Sequence, residues 1–128
     1  MAATLAGAHF IYLAGGSALH LRAVLKKSAV FEALRQAWSE GAVVAGSAAG
    51  AMVLTDPMVD PRGGALTLGL GLVDQLAIVP HYGDEQDDAH GQKLERTVAM
   101  APATLPIVGL PARTALIRNA DFFPTWSR

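Results

Sequence analysis

The stretch Gly46-Ser47-Ala48-Ala49-Gly50 has the residue types and spacing of a nucleophile turn, between the apolar runs Ala42-Val43-Val44-Ala45 and Ala51-Met52-Val53-Leu54. Such a pattern describes a buried strand turning sharply into a helix. This geometry lifts a nucleophilic oxygen onto a strained turn when the pattern reads glycine-x-serine-x-glycine. Here the central position is Ala48, so a methyl group stands where the attacking oxygen would be. A frame shifted by one residue, Ala45-Gly46-Ser47-Ala48-Ala49, makes Ser47 the alternative nucleophile. Gly46 and Gly50 nevertheless flank Ala48 evenly and suit a strained turn centred there.

Other residues offer chemistry by position. His81 follows Pro80 at the end of the apolar run Leu76-Ala77-Ile78-Val79, and the carboxyl ends of parallel strands are where open α/β sheets place ligands. Gly15-Gly16 closes the run Phe10-Ile11-Tyr12-Leu13. Its backbone N–H groups can face an anion or a developing oxyanion, or the glycines can simply serve a tight turn with positive φ. Asp84, Glu85, Asp87 and Asp88 lie together without a histidine or carboxylate partner at metal spacing, so they read as a solvated loop and no metal site is assigned. His20 and His90 read as solvated.

The elements that must position these residues follow from punctuation and period. Phe10–Leu13, Ala42–Ala45, Leu76–Val79, Leu105–Gly109 and Thr114–Ile117 are strand candidates. A helix with Leu19, Arg22 and Leu25 follows the first glycine turn. A second is capped by Ser28, runs to about Glu40 with Val30, Phe31, Leu34, Ala37 and Trp38 on its core face, and ends at Gly41. A third spans 89–100. The Asp56-Pro57 and Asp60-Pro61-Arg62-Gly63-Gly64 segments are turns, and Ala65–Val73 is expected to pack as a loop on the sheet. Alternation of strands and helices implies a mainly parallel sheet covered on both faces.

Composition narrows the function classes. The chain has 128 residues, 52% of them hydrophobic and 16% charged, with net charge -1 and no cysteine. This describes one globular α/β domain with no signal for nucleic acid, no disulfide framework and no thiolate chemistry. No apolar span approaches the roughly 20 residues of a membrane helix, and no signal peptide is visible. These features fit a cytoplasmic protein.

Four motifs, YLAGGSALHLRAVL, GAVVAGSAAGAMVL, LGLGLVDQLAIVPHY and IVGLPARTALI, occur in an order and spacing that resembles the cyanophycinase and dipeptidase E family of serine peptidases over roughly residues 8–119. The resemblance implies a fold like class I glutamine amidotransferases: three layers, with a mainly parallel sheet between helices. Members are normally longer at both ends, so residues 1–128 read as a single, partial domain. The family's elbow usually reads GSSAGA, and the resemblance assigns the nucleophile position to Ala48, the histidine to His81 and the acidic position to Ala112. It assigns the oxyanion hole to backbone at Gly16, in the Gly15-Gly16 turn, and at Ala49. No cofactor is implied. The expected ligand is a small acidic or Asp-containing peptide, and with two triad positions occupied by alanine the chain is expected to be inactive as written. Two other readings are a binding or assembly module using the same pocket and a remnant without an independent role. Exposed sheet edges lead us to expect marginal stability or a homo-oligomer.

Overall fold

The computed structural model describes residues 2–83 and 88–118, with residues 88–93 described as backbone only. In chain order the elements are α1 (Ala2–Leu5), β1 (Phe10–Leu13), α2 (Ala18–Leu25), α3 (Ala29–Ser39), β2 (Val43–Gly46) and α4 (Ala49–Val53). They continue with β3 (Thr55–Asp56), β4 (Met58–Val59), β5 (Leu66–Thr67), β6 (Val73–Asp74), β7 (Ala77–Pro80), α5 (Asp88–Met100) and β8 (Ile107–Leu110). Serines start the two helices that follow β1. The Ser17 hydroxyl accepts from the His20 N–H and that of Ser28 from the Phe31 N–H, each satisfying a donor that a first helical turn leaves free. Gly41, at φ 104, carries the chain out of α3 through a backbone region that favours glycine.

The strands form four two-stranded sheets among the described residues, rather than the single sheet expected from sequence. Three pairs are parallel, β1–β2, β3–β6 and β7–β8, and β4–β5 is antiparallel. The glycine-rich return from Ala65 to Val73 departs from the packed loop expected there. It is not a plain loop but supplies β5 and β6, whose two-residue ladders are too short to extend a central sheet. Thr114–Ile117, expected to be a strand, forms none. Arg113, at φ 59, turns the chain away after β8, and Leu116 and Ile117 stay exposed.

Core packing follows face parity. Ile11 is buried against Leu25, Phe31, Leu34 and Ala37, so α2 and α3 cover one face of β1–β2. On the other face the register sets Phe10 opposite Val43, and these residues are 62% and 57% exposed. The expected covering of both faces is therefore absent at this pair among the described residues. Trp38, assigned to the core by its helical period, is 40% exposed; Phe31, Leu34 and Ala37 fill the buried stripe of α3 without it. The second cluster joins Ala18 of α2, Ala49, Met52 and Val53 of α4, Met58 and Val59 of β4, and Ala77 and Val79 of β7. Every residue of α4 is buried, which makes that short helix the link between the β1–β2 and β7–β8 pairs.

Candidate active site

The turn between β2 and α4 is built from backbone packed on backbone. A Cβ on Gly46 would fall 2.6 Å from the carbonyl carbon and oxygen of Gly50, and one on Gly50 would fall 2.0 Å from the Leu13 carbonyl oxygen. Only glycine allows these approaches. Between them Ala48, the N-cap of α4, adopts φ 49 and ψ -116. An L-residue held outside the ordinary wells costs about 1–3 kcal/mol and persists only where its surroundings over-determine it. Here the Gly50 N–H donates to the Ser47 carbonyl at 2.8 Å and the Met52 N–H to the Ala48 carbonyl at 3.0 Å.

The first glycine turn lies beside this elbow because β1 and β2 run in parallel with Leu13 opposite Gly46. A Cβ on Gly15 would stand 3.4 Å from the Ala48 methyl, so the Gly15-Gly16 turn borders the place where a nucleophile would project. Gly16 has φ 141, with open space where a side chain would be. Ser47 turns elsewhere. Its N–H donates to the Leu13 carbonyl at 3.1 Å, and its Oγ accepts from the Tyr12 hydroxyl at 2.5 Å. Ala49 is buried at the first position of α4.

The β7–β8 pair positions the remaining candidates. Pro80 lies opposite Leu110, and the Tyr82 N–H donates to the Leu110 carbonyl at 3.2 Å. His81 and Ala112 therefore follow the same ends of two adjacent strands, both exposed, with His81 at φ 60. The Tyr82 ring lies on Gly109, where a Cβ would meet it at 2.7 Å. Thus β1–β2 brings Gly15 to Ala48, β7–β8 brings His81 to the level of Ala112, and α4 packs on both pairs.

Two of the described carboxylates, Asp56 and Asp60, serve other tasks. Asp56 accepts from the Gly69 N–H at 3.1 Å. Asp60 is held below the ordinary carboxylate range, first by the Arg62 side-chain hydrogen bonds and then by the Arg62 backbone N–H. No described cluster of three or more His, Cys, Asp or Glu could hold a metal. The acidic run from Asp84 to Asp87, together with the side chains of Asp88 and His90, lies outside the described residues. His20 is exposed on α2. The Tyr12–Ser47 bond was not anticipated. Its signal is positional: Tyr12 pairs with Ala45, and Ser47 is two residues further on the same face.

A family model described as peptidase family S51 matches residues 1–123. The uncharacterized peptidase YgaJ of Bacillus subtilis (strain 168) is 38% identical over 79 residues, which are 60% of this chain and 34% of the relative. A crystal structure of a peptidase from an acI-B1 actinobacterium shares the fold with a TM-score of 0.66 at 22% identity, covering 86% of this chain and 46% of that one. The chain thus spans about a third of the curated relative and under half of the solved structure.

Proposed function

The chain belongs to peptidase family S51, and from that premise we propose that it is a homologue of serine-type peptidases acting on small acidic or Asp-containing peptides whose hydrolytic centre is degraded. The observation that carries this reading is Ala48, an alanine held at φ 49 and ψ -116 between Gly46 and Gly50, with Gly15 facing its methyl. In this reading Ala48 occupies the nucleophile position, His81 the general base and Ala112 the acidic partner. Backbone N–H groups at Gly16 and Ala49 form the oxyanion hole, within a partial three-layer fold like class I glutamine amidotransferases. A cytoplasmic location is part of the proposal; no described helix is long and apolar enough to cross a membrane.

In this reading the chemistry accounts for a loss of hydrolysis. A serine at such a turn attacks the peptide carbonyl, histidine accepts its proton, and the acidic residue fixes the imidazole tautomer and stabilises the imidazolium. A methyl group can neither attack nor hydrogen-bond. Loss of the nucleophile alone costs about 10⁶-fold in kcat. Backbone donors survive such changes because they need no particular side chain.

Restoring the side chains tests the assignment. Ala48→Ser with Ala112→Glu should give measurable hydrolysis of Asp-containing dipeptides, and Ala48→Ser alone much less, since an unoriented histidine costs about 10⁴-fold in a triad. Ser47→Ala in the restored protein should leave kcat nearly unchanged. Hydrolysis by the unmodified chain that Ser47→Ala abolishes would instead make Ser47 the nucleophile. A second reading, a pocket that binds without turnover, is favoured by the retention of the strained turn without its nucleophile. Calorimetric titration with the same dipeptides tests it, and a folded sample that binds none of them leaves it without support.

A further inference from the structure

Every residue of β2 lines the apolar cavity beside it, whereas the β7–β8 region contributes only Leu76, Ile78 and Leu110. Side chains alternate between the two faces of a strand, so a cavity that touches consecutive residues meets the strand at its edge, and one that touches alternate residues meets a face. The cavity therefore runs along the free edge of β2. Its floor is one face of β7–β8, since the register sets Leu110 on the same side as Ile78.

Hydrogen bonds identify what that edge offers. The Val43 and Ser47 N–H groups donate to the His9 and Leu13 carbonyls, on the β1 side. In a parallel ladder the N–H and C=O of one residue point to one neighbour and those of the next residue point away. Val44 and Gly46 thus turn their N–H and C=O groups toward the cavity, where no described residue pairs with them. Both residues are partly buried, and a main-chain group kept from water without a partner costs free energy comparable to a lost hydrogen bond. The only charged residue lining the cavity is Arg118, whose Nη1 donates to the Leu72 carbonyl at 3.2 Å. A fitting ligand must bring donors and acceptors at strand spacing together with apolar groups.

We propose that the free edge of β2 is a docking site for an extended, uncharged apolar segment of a partner polypeptide, which adds a third strand beside β2 and rests side chains on Leu76, Ile78 and Leu110. Strand addition of this kind draws affinity from main-chain hydrogen bonds and selectivity from contacts to alternate side chains. The occupant is a lone strand rather than the sheet edge of a second copy, because residues 114–118 also wall the cavity and narrow it to about 340 Å³. The site is separate from the hydrolytic assignment and does not depend on it.

The test uses the whole chain and the peptide acetyl-Thr-Val-Thr-Val-Thr-amide, followed by amide hydrogen exchange and calorimetry. In the dilute chain alone, Val44 and Gly46 N–H groups should exchange faster than those of Val43 and Ala45, which face β1. Saturation with the peptide should slow Val44 and Gly46 at least about fivefold, the effect of a neutral hydrogen bond. Two N-methylated peptides, one blocked at both valine nitrogens and one at the last two threonine nitrogens, separate pairing from apolar contact. One of them should bind at least about fivefold more weakly than the other, because only one set of N–H groups faces β2. Val44→Pro removes the edge donor and leaves the β1 ladder its bonds, a substitution that edge strands accept, and should weaken the unmethylated peptide about five- to tenfold. If Val44→Pro does not fold, the two methylated peptides decide. The proposal is overturned if the peptide does not bind, if both methylated forms bind alike, or if Val44 and Gly46 are already protected in the dilute chain. Protection that rises with chain concentration instead of with peptide gives the edge to a second copy and overturns it too.

Discussion

At Gly50 a single added methyl would collide with the Leu13 carbonyl oxygen, a backbone atom that cannot step aside without shifting β1. Gly50→Ala should therefore lower the unfolding free energy by about 1–3 kcal/mol or more, the range of overpacking in a close-fitted interior, in a urea titration. Ser47→Ala, one exposed hydroxyl away, should cost within about 1 kcal/mol. Equal losses from the two would mean that the elbow is not set by close backbone approach. The spacing of Gly46 and Gly50 made the strained turn at residue 48 legible in the sequence, because glycine at both flanks has a steric reason. The Tyr12–Ser47 bond was not legible in the same way. It spans 35 residues and depends on the register of two parallel strands, which local pattern does not fix.

At the scale of elements, helix punctuation and the mainly parallel pairing were legible in the sequence, whereas the division into four two-stranded sheets was not. Ser28 and Gly41 bracket α3 because a side-chain acceptor and a left-handed residue each satisfy or release a helix end. The 65–73 segment was harder, since its glycines suit either a loop or short strands and the choice depends on partners at 55–59. The turn between β4 and β5 offers a pH test. Asp60 is tied to Arg62 by its carboxylate while its backbone N–H reaches the Ala65 carbonyl at 2.7 Å. The folded state depresses the Asp60 pKa, so the ionised carboxylate stabilises the fold above the ordinary aspartate value of about 3.9. That contribution is lost as pH falls through the lower folded value. Asp60→Asn should be slightly less stable than the parent near pH 6, by no more than about 1 kcal/mol given the exposed Arg62. The two should converge in acid, as read by thermal melts at several pH values, and a difference that grows toward low pH would contradict the assignment.

For the whole molecule, parity leaves one surface unaccounted for. The face of β1–β2 opposite α2 and α3 presents Phe10, Tyr12 and Val43, each more than half exposed, and neither strand has a further described partner. Beside β2, an apolar cavity of about 340 Å³ runs between Val43, Leu76, Ile78, Leu110 and Leu116. An aromatic and β-branched sheet face with open edges is a template for association. The isolated chain should therefore self-associate in sedimentation velocity and unfold at lower denaturant as it is diluted, since association binds only the folded form. Val43→Lys places a charge on the exposed face without entering the buried cluster around Ile11, and should shift the distribution toward monomer. A monomer at all concentrations, with a sharp transition whose midpoint ignores both dilution and Val43→Lys, would show that this face is stable in water as it stands.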